Sequence, residues 1–196
     1  MTTFVLATHN AGKVAELRRI LGERLGPHEL IGYDGPAPVE DGDTFEANAL
    51  IKARAATAFT GLPALADDSG IAVDALGGAP GIFSARYAEM AGGAKSDTDN
   101  NRLLLANLEG IEDRRAQFVC VAALADGDVE ETERGVWAGR VLTAPIGENG
   151  HGYDPIFAGD GDDRSSAQLT MDEKNAVSHR ARAFGQLVVL LRRRYS

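Results

Sequence analysis

Ala116-Gln117-Phe118-Val119-Cys120-Val121-Ala122-Ala123-Leu124-Ala125, then Asp126-Gly127-Asp128, then Glu130 to Val141, is the stretch that settles the fold class. The first arm is a continuous apolar run, which reads as the longest strand of the protein. Asp-Gly is a turn dipeptide, so the chain is expected to double back along Glu130 to Val141 as an antiparallel hairpin. The second arm alternates poorly between apolar and polar residues, and its register stays open. Strands and helices interleave on either side of this hairpin. That combination predicts an α/β or α+β protein with a mixed sheet rather than a purely parallel one.

Working outward, Phe4-Val5-Leu6-Ala7 reads as a short buried strand and Thr8-His9-Asn10-Ala11-Gly12 as a turn-forming loop. Lys13 to Leu21 reads as a helix with Val14, Leu17, Ile20 and Leu21 on one face. A strand is expected near Glu29 to Gly32, then an acidic, Gly- and Pro-rich loop from Asp34 to Gly42. Asp43-Thr44-Phe45-Glu46 is a capping pattern that opens a helix from Thr44 to Phe59, stopped by Gly61. Ala64-Leu65-Ala66 reads as a strand that ends at a turn, Asp67-Asp68-Ser69-Gly70, with Ile71-Ala72-Val73 as a second short strand. A helix from Asp97 to Leu108 is capped by Ser96 or Asp97. Thr170-Met171-Asp172-Glu173 is a capping box, and Ser178 can cap a final helix that runs to about Arg193.

The chain has 196 residues, 44% apolar and 25% charged, a globular composition that excludes wholesale disorder. Cys120 is the single cysteine, which excludes an internal disulfide or a Cys-rich zinc site. Within its apolar run it reads as a small buried hydrophobe. The net charge of −9 argues against long nucleic acid on a basic surface, but not against a nucleotide. No apolar run approaches the roughly 20 residues of a membrane span, and Met1 to Ala7 has no basic leader, so a cytoplasmic protein with no membrane partner is expected.

Four segments carry candidate chemistry. Thr8-His9-Asn10-Ala11-Gly12-Lys13 leads from a strand into a helix, so its free N–H groups and the helix dipole form an anion site to which Lys13 adds a charge. It lacks the long Gly-rich spacer of a Walker A loop, and Val14 follows the lysine. Asp67-Asp68-Ser69-Gly70 places adjacent carboxylates at a strand end, a donor set suited to Mg²⁺, with Glu40 as a further carboxylate and Lys52 on the preceding helix. Lys174, His179, Arg180 and Arg182 form the third group. His179, Arg180 and Arg182 crowd the first turn of a helix, where the dipole disfavours cations and a bound electron-rich ligand would reverse the sign. Replacing His179 or Arg180 is then expected to leave the empty protein as stable or slightly more so. In the fourth, glycines bracket His151 and Tyr153 in Gly150-His151-Gly152-Tyr153-Asp154-Pro155, which lets flat rings lie against a planar ligand. His9, His28, His151 and His179 have no metal-ligand spacing, and neither Ser69 nor Ser84 lies in a G-x-S-x-G elbow, so zinc hydrolase and serine esterase chemistry are both disfavoured.

Taken in order, these stretches resemble the non-canonical purine nucleoside triphosphate pyrophosphatases, also called inosine triphosphatases or dITP/XTP pyrophosphatases. The matching residues are Leu6 to Lys13, Thr44-Phe45-Glu46-Ala47-Asn48-Ala49 with Lys52-Ala53-Arg54, Ala66 to Gly70, Gly77 to Tyr87, Gly152 to Phe157 and Ser178-His179-Arg180. The resemblance covers nearly the whole chain, so residues 1–196 form one such domain. It implies an elongated α/β fold of two lobes around a long mixed sheet, with the site in the cleft between them, and a homodimer. It implies Mg²⁺-dependent hydrolysis of ITP, dITP or XTP to the monophosphate and pyrophosphate, cleansing the nucleotide pool. By position, Thr8 to Lys13 hold phosphate, Asp68 is the proton acceptor and a metal-linked carboxylate, and Glu40 is a second acidic group at the metal. Ser69 touches the nucleotide, Lys52 and Lys174 lie near the phosphates or the base, and His179 and Arg180 read the base. His151, Gly152, Tyr153 and Asp154 complete the substrate-binding set. The family's usual residue before Gly-Tyr-Asp-Pro is Phe, and here it is His151, an imidazole that can still stack on a purine. A broader nucleotide pyrophosphatase acting on modified pyrimidine nucleotides is the alternative, and a non-catalytic nucleotide-binding protein is the non-enzyme reading.

Overall fold

Short apolar runs separated by capped helices give six strands: β1 (Thr3–Leu6), β2 (Glu29–Gly32), β3 (Ala64–Val73), β4 (Arg115–Asp126), β5 (Val129–Val141) and β6 (Phe157–Gly159). The helices are α1 (Ala11–Leu21), α2 (Phe45–Thr60), α3 (Tyr87–Met90), α4 (Asp97–Asn107), α5 (Met171–Val177) and α6 (His179–Arg194), joined by short 3₁₀ turns. This computed structural model describes residues 1–196, the side chain of Glu23 excepted. The helix starts are chemical. Asn10, Thr44, Ser96 and Thr170 each accept a hydrogen bond from a first-turn N–H, and Gly61 ends α2 in the left-handed region at φ 71°.

The six strands form one sheet in the order β2-β1-β3-β4-β5-β6. β1 pairs in parallel with β2, Thr3 opposite Glu29, and with β3, Val5 opposite Ala64. β5 and β6 are antiparallel, with Val141 opposite Phe157. β4 and β5 are neighbours joined by Gly127 and Asp128, a link short enough only for an antiparallel pair. The α/β class and the mixed sheet expected from the sequence are therefore present.

Two sequence expectations change. The segment 64–73 is one continuous strand of 10 residues, not two strands about a turn, so Asp67-Asp68-Ser69-Gly70 lies inside the sheet. The longest strand is β5, at 13 residues, ahead of β4 at 12. The reason for the poor alternation of β5 is also plain. Burial alternates only over its second half, where Gly135, Trp137, Gly139 and Val141 are buried, and two of those four are glycines that a hydrophobic pattern does not register.

The chain divides into two compact units. The first comprises Met1–Asp68, Cys120–Gly135 and His179–Ser196. Its core joins Phe4, Leu6, Leu17, Leu21, Leu65 and Leu124 to Phe184, Leu187 and Leu191 of α6, whose three- and four-residue spacing makes one apolar stripe. The second comprises Ser69–Val119 and Val136–Ser178. Its core holds Ile71, Val73, Leu104, Leu108, Phe118, Trp137 and Phe157, with the Phe118 and Phe157 rings 4.4 Å apart.

Gly135 is required by close packing within the first unit. A Cβ there would run into the His179 carbonyl and the Ala183 N–H of α6. Gly135→Ala should therefore lower stability by about 2–3 kcal/mol, the upper range for forcing a methyl into a filled space. Gly185→Ala on the same helix meets only the Arg24 guanidinium at 3.6 Å and should instead gain about 0.5–1 kcal/mol of helix propensity. Urea unfolding of both variants checks the pair of opposite signs.

Candidate active site

Asp67 and Asp68 sit side by side within β3, so the pleat turns their carboxylates to opposite faces. Both are buried. Asp67 is met by two cations from distant parts of the chain. Lys13 Nζ lies 3.1 Å from its Oδ2, and the Arg180 guanidinium reaches the same oxygen at 3.2 Å. Arg180 also pairs with Glu16 Oε2 at 2.8 Å, and the Cys120 thiol donates weakly to Asp67 at 3.8 Å. Lys13, Arg180, Asp67 and Glu16 thus form a group whose formal charges cancel.

The Asp68 side is arranged differently. Lys52 Nζ lies 3.3 Å from Asp68 Oδ1 and 2.8 Å from Glu40 Oε2, so one cation serves two carboxylates. The other oxygen, Asp68 Oδ2, is buried and has no hydrogen-bond partner among the described residues. This group carries a surplus of one negative charge and one unsatisfied acceptor.

The protonation behaviour separates the two aspartates. Burial pushes Asp67 up, but Lys13, Arg180 and Lys52 outweigh it and hold the carboxyl far below its ordinary range. Burial also pushes Asp68 up, and with the charges of Glu40 and Asp67 it prevails over the pull of Lys52 and Lys13, so Asp68 is the more basic carboxylate. Burial lowers Lys52, but Asp68, Asp67 and Glu40 more than reverse that, keeping the ammonium charged. Burial and the Asp67 charge raise the Cys120 thiol, which stays protonated.

The loop Thr8 to Lys13 is shaped by its own side chains. Asn10 N–H donates to Thr8 Oγ1 at 3.2 Å, and Asn10 Oδ1 accepts from Lys13 N–H at 3.1 Å, capping α1. No acidic side chain stands in that first turn, and Ala11 and Gly12 are exposed. The His9 ring is exposed, 5.4 Å from that of Tyr33.

The first unit accordingly contains Thr8, His9, Asn10, Ala11, Gly12, Lys13, Glu40, Lys52, Asp68, His179 and Arg180, while Ser69, His151, Gly152, Tyr153, Asp154 and Lys174 belong to the second. There Lys174 Nζ lies 2.7 Å from Asp154 Oδ2, both side chains buried, and Ser166 donates to Asp154 Oδ1 at 2.9 Å. Tyr153 is part of the core and its hydroxyl donates to the Ser84 carbonyl at 2.7 Å, so of the two rings in this loop only His151 is partly exposed.

One physical reason given for Arg180 is corrected. The dipole penalty at the start of α6 is offset within the protein, by Glu16 and Asp67, and needs no ligand. Sequence reasoning missed Glu16. A signal existed, because Glu16 stands four residues before Ile20 on the buried face of α1, where a carboxylate requires a buried cation.

The chain belongs to the Ham1 family, whose pattern it matches over residues 4–190. It is 54% identical to a protein of Leifsonia xyli named dITP/XTP pyrophosphatase, over 98% of this chain and 96% of that one. A Streptomyces coelicolor protein of the same name is 50% identical over 98% of each. A solved HAM1 protein from Coxiella burnetii superposes with a TM-score of 0.87 at 42% identity, covering 98% of this chain and all of that one.

Arg180→Ala removes the buried cation that Glu16 and Asp67 share, so it should destabilise the empty protein by about 3–5 kcal/mol. This reverses the expectation drawn from the dipole, and denaturant unfolding without ligand decides between them. Asp67 gives a pH signature of its own. Its folded state stays ionised where the unfolded chain takes up a proton near about pH 3.9, so its contribution is complete above that pH and falls as the pH drops below it. The loss approaches about 1.4 kcal/mol per pH unit. Stability measured from about pH 5 to pH 2.5 should fall less steeply in Asp67→Asn than in the unsubstituted protein.

Proposed function

We propose that this protein hydrolyses dITP, XTP and ITP to the nucleoside monophosphate and pyrophosphate and so clears them from the nucleotide pool. The observation that carries the reading is the Asp68 group: a buried carboxylate oxygen without a partner, beside Lys52 and Glu40. The names of the relatives from Leifsonia xyli and Streptomyces coelicolor support purine triphosphates over modified pyrimidine nucleotides. We take residues 1–196 as one domain of this family, acting as a homodimer. No helix of the described residues is long and apolar enough to cross a membrane, and a nucleotide-pool substrate supports a place in the cytoplasm.

The donor set fits magnesium. Among the described residues no three His, Cys, Asp or Glu side chains form a metal cluster. Mg²⁺ is ordinarily held by one or two carboxylates together with substrate phosphates, and Asp68 and Glu40 supply that number with a net negative charge. When bound there, the ion would neutralise charge on the phosphate oxygens.

The protein's own groups do the rest. The exposed start of α1, with Lys13 and the loop N–H groups, binds and orients the phosphates. Lys52 holds Asp68 and Glu40 in register. Asp68 Oδ2, unsatisfied and more basic than its neighbour, accepts a proton from the attacking water. The bond between the α- and β-phosphoryl groups breaks, and pyrophosphate leaves with the bridging oxygen or the attacking one. Phosphoryl transfer of this kind depends on positioning and charge rather than covalent catalysis. At the base, a donor from His179 favours the C6 carbonyl of hypoxanthine and xanthine over the amino group of adenine.

A panel of triphosphates with Mg²⁺ tests the reading. Pyrophosphate should form from ITP, dITP and XTP and be weak or absent from ATP and dUTP, and a chelator should abolish it reversibly. Release of orthophosphate, or a preference for pyrimidine nucleotides, would overturn it. Asp68→Asn should bind substrate and lose about 10²-fold or more in kcat, whereas Lys13→Ala should weaken all triphosphates alike, with base preference unchanged.

A further inference from the structure

The loop that carries His151 is gripped by a helix to which the sequence assigns no function. α4 presents Asp97 in its first turn and Asn101 one turn later, on the same face. Asp97 Oδ2 accepts from the Gly152 N–H at 2.8 Å, and Asn101 Nδ2 donates to the Gly152 carbonyl at 3.1 Å. The two side chains therefore hold the peptide planes on either side of one Cα, whose φ of 63° only glycine adopts readily. The neighbouring His151 N–H is held by Asp154 Oδ2 at 2.9 Å.

Asn101 is a costly choice if packing alone were at stake. Its side chain is buried, and its Oδ1 has no hydrogen-bond partner among the described residues. The bond from its Nδ2 to the Gly152 carbonyl is thus made against the cost of a buried acceptor left unmet. Asp97 is exposed and contributes little to packing.

We propose that Asp97 and Asn101 are positioning residues for base recognition, fixing the backbone at Gly152 beside His151 without touching the nucleotide themselves. This rests on the proposed function together with the family resemblance, which implies that His151 and Gly152 belong to the substrate-binding set. Both residues bond to Gly152 of the His151 loop, so their effect should be confined to the base.

The experiment compares Asn101→Ala, Asp97→Ala and Asp97→Asn with the unsubstituted protein. It reads kcat and KM on ITP and ATP, melting temperature, and inhibition by inorganic tripolyphosphate, which has no base. In both alanine variants KM for ITP should rise about tenfold, the scale of one or two lost hydrogen bonds. kcat should change by less than about twofold, the ITP-over-ATP preference should fall, and tripolyphosphate inhibition should stay as it was. Asp97→Asn keeps an acceptor oxygen and loses the charge, so it should recover the preference. Equal behaviour of Asp97→Asn and Asp97→Ala, equal losses on ITP and ATP, or a matching loss of tripolyphosphate inhibition would each overturn the proposal. If Asn101→Ala does not fold, the exposed Asp97 pair decides alone. An unsubstituted protein with no base preference would overturn the functional reading first, and is recognised before any variant is made.

Discussion

Two carboxylates adjacent in sequence face opposite sides of one strand, and everything at the site follows from how their charges are met. A buried carboxylate is tolerated only with close counter-charge. Asp67 receives Lys13 and Arg180, and Glu16 balances the excess, so that side is electrically neutral. Asp68 receives only a share of Lys52 and keeps an oxygen unmet. The asymmetry lets two identical side chains act differently, one as a fixed counter-ion and the other as a group with acceptor capacity to spare. Were Arg180 to serve the Asp68 side instead, the more basic carboxylate would be lost and with it the argument for proton transfer.

The helices were legible because their ends are chemical. Thr44, Ser96 and Thr170 bind first-turn N–H groups, and Gly61 takes a conformation that other residues resist. The strand through Asp67 and Asp68 was not legible, since polar residues within an apolar run ordinarily signal a turn. That rule failed here because cations from positions 13, 52 and 180 reach the strand, and periodicity carries no record of contacts so distant in sequence. The same blindness hid Glu16. Tyr153 illustrates a different point: an aromatic beside a glycine loop is ordinarily a core residue, and here its hydroxyl donates to a buried carbonyl while the ring joins the core.

Around the His151 loop of the second unit the polar groups are spent on one another. Asp154 spends both oxygens on Lys174, Ser166 and the His151 N–H, and α4 spends two side chains on Gly152. A loop secured at consecutive backbone groups loses little freedom on meeting a ligand, which is the condition under which hydrogen bonds discriminate sharply between similar bases.

The ion pair between Glu16 and Arg180 joins residues 164 positions apart. Contacts of such separation close late in folding, because the entropy of a large loop must be met before they form. Asp67 therefore lacks one of its two paired cations until α6 has docked, and order at that carboxylate is a property of the assembled unit rather than of its local strand.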